Sequence, residues 1–187
     1  MIDISFNNVT IQMLSGMIGK HFEQYECDPF VFTPNVFGIV GFRIDGETYK
    51  ITGNLEVVQR FFHEEDVAVM RFSRCQPGEI VSMMDDGKMI DNPVEDVIVA
   101  IDVVNDHECV EHEGIQKELV STKGIIFHLA GGNEISFEIG TWFSEMITIQ
   151  RGYNLIDKFT TLDDFKEDWE DCEGYMAKVS REVVVLK

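Results

Sequence analysis

The sequence predicts a mainly β fold, arranged as a sandwich-like or barrel-like domain, with a mixed α+β arrangement as the alternative. Three observations lead to this prediction. Apolar and polar residues alternate in most segments, as in "GFRIDGETYKITG" and "DVAVMRFSR", with the period of a half-buried strand. Two turns, Asp45-Gly46 and Gly131-Gly132, stand between such segments and indicate hairpins. Only one segment, close to the C-terminus, has a clear helical pattern.

Further β segments occur along the whole chain. Near the N-terminus, two short strands are indicated on either side of Asn7 and Asn8, in "DISFNNVTIQM". A dense β-branched run, "VEDVIVAIDVV", is typical of a strand that is buried on both faces. The pattern continues in "GIIFHLAGGNEISFEIG", "EMITIQRG" and the terminal "REVVVLK". One segment, "NLEVVQRFF", fits either a short helix or a strand, because its paired valines lower the helix propensity.

One short acidic helix is expected near the C-terminus, in "TTLDDFKEDWEDCEG". Thr160 or Thr161 is placed to cap its first turn, and Gly174 is placed to end it. The aspartates at its start favour the positive end of the helix dipole. The spacing i, i+4 and i+7 predicts a buried stripe that consists of Phe165, Trp169 and Cys172.

The chain is expected to form a single compact domain, 1–187, that contains two internal repeats. Its 187 residues are 44% hydrophobic, which is enough apolar material for a packed core. The predicted repeats cover 21–75 and 105–155. Each contains a glycine-led apolar strand, a turn with glycine, a return strand and an alternating strand that ends in arginine. This similarity indicates a duplicated β unit whose halves pack together.

Negative charge is the strongest global property of the sequence. The chain has 34 Asp and Glu residues but 15 Lys and Arg residues, which gives a formal net charge of -19 at pH 7. Such a chain repels phosphate backbones and anionic membranes, so direct binding to nucleic acid or to a membrane is not expected. A basic protein partner would be attracted. The alternative interpretation is that the charge serves solubility alone, as in many acidic bacterial proteins.

A cytoplasmic location is expected. The N-terminal sequence has no basic region followed by an apolar core, as a secretion signal has, and no run of about 18 apolar residues predicts a spanning helix. Four cysteines are far apart and form no C-x-x-C pair: Cys27, Cys75, Cys109 and Cys172. They are most simply free thiols in a reducing compartment.

The segment "NDHECVEHEG", 105–114, is the candidate metal site. His107, Cys109 and His112 are ligand types that zinc accepts, and His63 is a further candidate ligand. In an extended strand, however, His107 and Cys109 project to one face and His112 projects to the other. The alternative is a charged loop or edge strand, whose like charges discourage pairing with another strand.

Two segments are candidate partner-binding surfaces. The helical segment places Asp164, Asp168 and Asp171 on one outward face. Trp142 and Phe143 lie between predicted strands, where rigid rings provide contact area at a low entropic cost. The alternative interpretation is a solvated helix face, together with aromatic residues that close one end of the core.

Common catalytic motifs do not occur in the sequence. It contains no G-x-S-x-G, H-E-x-x-H, G-x-x-x-x-G-K-[ST] or G-x-G-x-x-G pattern, so no catalytic residue and no cofactor are expected. The sequence predicts a non-catalytic protein-binding module that engages a basic partner, as an immunity or inhibitor protein does. Two alternatives stay open. One is a metal-binding protein or metal-dependent hydrolase that uses His107, Cys109 and His112, and the other is a homo-oligomeric structural subunit of a larger assembly.

Overall fold

The structure is a computed structural model that describes residues 1–30, 33–84, 87–140 and 144–187. The chain is mainly β, with 59% in strands and 13% in helices, and the predicted fold class is confirmed. The strands belong to one eleven-stranded sheet, which folds over a common core into a sandwich-like arrangement.

The elements follow one another with these bounds. The strands are β1 (Ile2–Asp3), β2 (His21–Cys27), β3 (Asn35–Phe37), β4 (Ile39–Ile44), β5 (Glu47–Arg60), β6 (His63–Arg74), β7 (Ile90–His112), β8 (Ile115–Leu129), β9 (Glu134–Ile139), β10 (Met146–Gly152) and β11 (Tyr175–Leu186). The α-helices are α1 (Asn8–Ser15) and α2 (Asp163–Glu170), and short 3-10 helices cover Pro77–Glu79 and Leu155–Lys158. The described strands pair in antiparallel orientation, except that β1 is parallel to β8.

One bent segment of the chain connects the β10 end of the sheet with the strands β4 and β5. The strand order is β3-β10-β9-β8-β7-β2-β4-β5-β6, with β1 added to β8 and β11 added to β7. The consecutive strands β3 and β4 pair differently: β3 with β10, and β4 with β2 and β5. Gly38 separates them, and its φ of +68° lies in the left-handed region that favours glycine. This bend returns the β10 end of the sheet towards β4 and β5.

The largest hydrophobic cluster draws on both halves of the chain. Its centre is aromatic: the ring centroid of Phe42 on β4 lies 4.8 Å from that of Phe137 on β9 and 5.9 Å from that of Phe127 on β8. The ring of Phe22 on β2 lies 5.1 Å from that of Phe127. Aromatic side chains bury large apolar areas, so these contacts contribute strongly to the hydrophobic stabilisation of the fold.

Both predicted hairpins are present. The turn between β4 and β5 contains Asp45 and Gly46, whose φ values of 48° and 72° are those that a two-residue turn of type I′ requires. The turn between β8 and β9 contains Gly132, with a φ of 86°. It is closed by a hydrogen bond of 2.9 Å from the amide of Leu129 to the carbonyl oxygen of Asn133.

The structure corrects the N-terminal prediction. The first predicted strand is β1, but the second is the helix α1. Asn7 caps this helix, because its side chain accepts a hydrogen bond of 3.0 Å from the backbone N–H of Thr10. Leu14 anchors the helix in the core, where it is fully buried. The cap at Asn7 and the buried side chain of Leu14 thus make this segment helical, although its alternation of apolar and polar residues indicates a strand.

The structure also decides between the two alternatives for "NLEVVQRFF". The segment up to Arg60 belongs to β5, and the helical alternative is wrong. The pairing of β5 with β6 extends from Tyr49 to Arg60, so the neighbouring strand satisfies the backbone hydrogen bonds that a helix would make internally.

The predicted acidic helix is α2. Thr161 accepts a hydrogen bond of 2.9 Å from the amide of Asp163, the first residue of the helix. Phe165 and Trp169, which the sequence predicts to be buried, pack against the sheet and are partly buried. Cys172 is exposed, and its predicted place in the buried stripe is wrong, because the helix ends two residues before it.

The two predicted repeats contain corresponding strands. In the first, β2, the β4–β5 hairpin and β6 are neighbours in the sheet, and in the second, β7, the β8–β9 hairpin and β10 are neighbours. β2 pairs in antiparallel orientation with residues 90–97 of β7, which lie before the second predicted repeat. The corresponding strand orders are what a duplicated unit would give, and the duplication itself stays a prediction.

Close packing at Gly124 on β8 gives a stability test of the fold. A Cβ at this position would overlap the carbonyl oxygen of Phe137 and the ring of Phe159. We expect Gly124→Ala to lower the free energy of unfolding by about 1–3 kcal/mol, measured by urea denaturation, because it overpacks the core. Gly78→Ala is the matched control, since no atom lies within 4 Å of its added Cβ. Equal losses in the two variants would contradict this interpretation.

Candidate functional site

A charged cleft lies between α2 and the face of the sheet that β7, β8, β9 and β11 form. Its interior volume is about 60 Å³, which is room for a few water molecules or the charged end of one side chain. The charged side chains of the cleft floor come from five strands: Arg60 of β5, Asp106 and Glu108 of β7, Lys123 of β8, Glu138 of β9 and Arg181 of β11. Groups that are distant in the sequence therefore meet at one place.

The alternation of side chains along β7 puts two carboxylates on this floor. Asp106, Glu108 and Val110 are buried, whereas the residues between them are partly exposed on the opposite face. In the register of β7 and β11, Asp106 lies opposite Arg181. The alternation of side chains that is typical of a strand therefore also determines which charged residues of β7 face the cleft.

Arg181 and Asp106 form a buried bidentate ion pair. Nε of Arg181 donates to Oδ1 of Asp106 at 2.7 Å, and Nη2 donates to Oδ2 at 2.9 Å. Nη1 donates to the carbonyl oxygen of Thr160 at 3.0 Å, and the guanidinium lies 5.6 Å from the ring centroid of Phe159. Arg181 therefore ties the segment before α2 to the sheet, and its donors are occupied in doing so.

Glu108 is paired more loosely. Its carboxylate is 3.6 Å from Nζ of Lys123 and 3.7 Å from Nη2 of Arg60, and both distances are longer than those of hydrogen bonds. Among the described residues, Oε2 of Glu108 accepts no hydrogen bond, although the residue is only 5% exposed. Arg60 also pairs with Glu65, at 3.2 Å between Nη1 and Oε2. Glu108 thus keeps an acceptor site that a donor in the cleft would satisfy.

Glu138 is the third buried carboxyl group of the floor. It accepts a hydrogen bond of 2.7 Å from the backbone N–H of Thr160. Desolvation by burial raises the pKa of Glu138 above its ordinary value of 4.5. The hydrogen bonds from Thr160 and the positive charge of Arg181 offset only part of this effect. A cation that entered the cleft would favour the ionised form of Glu138.

α2 supplies the acidic rim, which we define as Asp164, Asp168 and Asp171. All three are exposed, and the first two, one helical turn apart, border the cleft. The segment 163–173 contains seven acidic residues and one basic residue, Lys166, which pairs with Asp163 at 2.8 Å. The rim therefore has a strong negative potential at the mouth of the cleft.

Aromatic contacts hold the acidic helix on the sheet. The ring centroid of Phe61 lies 6.1 Å from that of Phe165 and 5.7 Å from that of Trp169. Trp169 also contacts Tyr175 of β11, at 5.3 Å between ring centroids. The apolar side of α2 is thus anchored, and the helix presents the carboxylates of the adjacent side to solvent.

The predicted partner-binding residues have different outcomes. Asp164, Asp168 and Asp171 lie together on the exposed side of α2 and directly after it, as the sequence predicts. Trp142 and Phe143 lie outside the described residues. A role in binding stays a prediction for all five.

The structure does not bring the three predicted metal ligands together. His107 and Cys109 lie on the face of β7 that is opposite to the cleft, where Nε2 of His107 is 3.3 Å from the carboxylate of Glu182. His112 is on the other face, stacked on the ring of Tyr175 at 4.0 Å. In the described ranges, no three His, Cys, Asp or Glu side chains are grouped so as to hold a metal ion.

The environment of Cys109 also opposes zinc binding. Partial burial, followed by the nearby charge of Glu118, raises the pKa of the Cys109 thiol. Zinc binds the thiolate, which a raised pKa makes scarcer at neutral pH. His63, the further candidate, is exposed at the first residue of β6.

His128 forms a second charged group on the cleft face of the sheet. Its Nε2 lies 2.8 Å from Oδ2 of Asp102, and its Nδ1 lies 3.4 Å from Oε1 of Glu134. Glu134 also accepts a hydrogen bond of 2.7 Å from the amide of Leu155. Both ring nitrogens face carboxylates, so His128 connects β8 with β7 and β9.

Sequence reasoning missed the floor of the cleft. The signal that could have found it is the alternation in "DVVNDHECVE". Asp106 and Glu108 lie on the same face of the strand as the apolar residues Val104 and Val110. Charged residues on a buried face indicate a polar network or a site. In so acidic a chain, this signal is hard to distinguish from the many solvated carboxylates.

The charge arrangement at the rim of the cleft favours a cationic group. Arg181 is occupied by Asp106, and Arg60 is held between Glu65 and Glu108. Within the described ranges, no ion pair neutralises Asp164 or Asp168 at the mouth. A basic side chain would find two carboxylates without an ion pair at the rim and, below them, Oε2 of Glu108, which accepts no hydrogen bond and lies 3.7 Å from Nη2 of Arg60.

Comparisons of the chain with protein-family models, with curated proteins and with solved structures give no match. In the described part of the chain, no helix has both the length and the apolar character needed to cross a membrane. The functional interpretation therefore depends on the cleft and on the surface around it.

The ion pair of Arg181 gives a stability test of the site. Arg181→Ala would leave the carboxylate of Asp106 buried without its cation, and we expect a loss of about 3–5 kcal/mol in the free energy of unfolding. Arg74→Ala is the control, because its ion pair with Glu47 is exposed and its removal is expected to cost about 1 kcal/mol or less. Urea denaturation measures both values. A loss for Arg181→Ala as small as that of the control would contradict the structural role.

The raised pKa of Glu138 gives a pH test. The folded state keeps the Glu138 proton to a higher pH than the unfolded state does. Between the ordinary pKa and the raised pKa of the folded state, rising pH therefore lowers the free energy of unfolding. Glu138→Gln removes this loss and retains an acceptor for the amide of Thr160. We expect the stability of the variant, relative to the wild type, to increase from acidic to neutral pH. Urea denaturation at several pH values measures the difference, and a pH-independent difference would contradict it.

Proposed function

We propose that this chain is a non-catalytic protein-binding module, of the immunity or inhibitor kind, that engages a basic partner through α2 and the adjoining cleft. One observation carries this proposal: the exposed carboxylates of Asp164 and Asp168 border a cleft whose floor contains the buried carboxyl groups of Glu108 and Glu138. An arginine or lysine side chain of the partner would pass the rim and place its charge above the floor.

The rigid presentation of the rim supports this mode of binding. An acidic tail would lose conformational entropy when it is ordered on a partner, whereas α2 is already held by Phe165 and Trp169. The seven acidic residues of 163–173 would attract the partner over a distance of about one Debye length, roughly 8–10 Å at moderate salt. The net charge of -19 adds a long-range attraction that accelerates association.

The floor would provide the specific contact. A donor from the partner would satisfy the free acceptor of Glu108, and hydrogen bonds to charged groups contribute about 1.5–3 kcal/mol. Arginine suits the cleft well, because its planar guanidinium has several donors for carboxylates that lie on different sides. Ionised Glu138 would contribute a second carboxylate once a cation is present.

A cytoplasmic location is part of this proposal. Cys27, Cys75, Cys109 and Cys172 are all free, which suits a reducing compartment.

A pull-down with matched charge variants tests the proposed surface. The immobilised full chain is incubated at low salt with a lysate of the organism that produces it, and bound proteins are identified by mass spectrometry. The rim variant combines Asp164→Asn, Asp168→Asn and Asp171→Asn. We expect the wild type to retain a basic protein that raised salt elutes, and the rim variant to retain it at least about tenfold less.

The control variant removes the same number of charges elsewhere. It combines Glu26→Gln, Asp91→Asn and Glu95→Gln, which lie on β2 and at the opposite end of β7. We expect this variant to retain the partner nearly as well as the wild type. If both variants lose it equally, net charge and not the rim is responsible, and the proposed surface is wrong. If the wild type retains no protein at low salt, the proposed function is wrong.

A further inference from the structure

β11 forms an open edge of the sheet. Its 12 residues pair with β7, and among the described strands no other pairs with it. An open edge presents unpaired backbone N–H and C=O groups, which readily bind another strand. Three apolar side chains of β11 are also exposed, namely Met176 by 55%, Val183 by 37% and Val185 by 50%. Such an edge is a surface for strand addition.

We propose that two copies of this chain pair through β11, in antiparallel orientation, on a twofold axis at Ser180. The sheets of the two copies would then continue into each other. An isologous contact of this kind uses the same strand in both copies and closes the assembly at two. The interface uses none of the rim carboxylates, so it goes beyond the proposed function and does not depend on it.

Backbone geometry restricts the register of this contact. Along one edge of an antiparallel strand, only every second residue directs both its N–H and its C=O group outward. Two identical edges therefore pair even-numbered residues with even-numbered ones, which puts the axis at a residue and not between two residues. An axis at Ser180 lies close to the middle of β11 and aligns 175–185 of one copy with 185–175 of the other.

Charge complementarity selects Ser180 among the central residues. With the axis there, Lys178 lies opposite Glu182 of the partner subunit, and the symmetry forms this pair twice. Both side chains are exposed and share one face of the strand. An axis at Arg181 would oppose this arginine to itself, and an axis at Val179 would leave Lys178 and Glu182 without a charged partner. Opposite charges at facing positions stabilise a strand pair, and like charges destabilise it.

The same register covers the exposed apolar residues. Val185 lies opposite the partner's Tyr175, and Val183 lies opposite the partner's Ala177. Tyr175 and Ala177 belong to the cluster under α2, so each exposed valine would extend an existing apolar surface. Facing pairs of β-branched and aromatic residues are favourable in antiparallel sheets. The register that the charged pairs select thus also pairs the exposed valines with apolar residues.

A charge-swap series tests the interface. Sedimentation equilibrium of the full chain, from micromolar to high micromolar concentration, gives the dissociation constant of the dimer. Lys178→Glu and Glu182→Lys each create two pairs of like charge, and each is expected to raise this constant at least about tenfold. The double variant Lys178→Glu/Glu182→Lys restores the opposite charges and is expected to restore the constant to within about threefold of the wild type. Lys117→Glu, at an exposed position on β8, is the matched control and is expected to leave the dimer unchanged.

Several results would overturn this interface. The first is that the wild type stays monomeric over the whole concentration range. The second is that both single variants leave the dimer intact, and the third is that the double variant folds but stays monomeric. Circular dichroism verifies that each variant folds. Amide hydrogen exchange of the wild type provides a test that needs no variant: exchange in β11 is expected to slow as the protein concentration rises. Exchange that is independent of concentration would also exclude pairing through β11.

Discussion

The pairing of β7 with three other strands is the constraint on which the rest of the structure depends. Its first part pairs with β2, and its second part lies between β8 and β11. Every residue of its second part is assigned to one of two faces, so a slip by one position would exchange Asp106 and Glu108 with His107 and Cys109. The register of β7 therefore determines three features together: the contact between the two halves of the sheet, the floor of the cleft and the position of the open edge.

The charges in the cleft differ in kind from those on the rest of this acidic molecule. A solvated carboxylate needs no partner, whereas burial disfavours the charged form unless a cation or a donor is close. The cleft holds three of the 15 basic residues of the chain: Arg60, Lys123 and Arg181. In a sequence with so few cations, this concentration offsets the burial of three carboxyl groups, and it leaves the rim without neutralisation.

Local patterns were sufficient to predict the β class, both hairpins and the acidic helix. Each depends on residues within a few positions of one another: the period of two, the glycine turns, and a threonine followed by acidic residues. α1 was missed because its two anchors, the cap at Asn7 and the burial of Leu14, are weaker local signals than the alternation before them. The N-terminal segment shows how one capping side chain can outweigh a periodic pattern.

The cleft could not be predicted because it depends on strand register. Arg181 and Asp106 are 75 positions apart, and nothing in the alternation of either strand says which residues face each other. The pairing of β7 with β8 also has an irregularity between Val104 and Asn105, beside Lys123, which the alternation of either strand does not predict. The separation of His107 from His112, by contrast, needed only the strand period and agrees with the structure.

The change of partners at Gly38 has a consequence for the synthesis of the chain. Asn35 and Thr148, which are joined by a hydrogen bond in the finished sheet, are 113 positions apart. At roughly 5–20 residues per second on the ribosome, β3 waits for about 6–23 seconds before its partner β10 has emerged. Closing such long loops costs entropy before the contacts form, so folding is expected to be slow for a chain of this size. Until β7 has emerged, the edge of β2 that pairs with it is uncovered, and mutual repulsion between highly negative nascent chains opposes their aggregation.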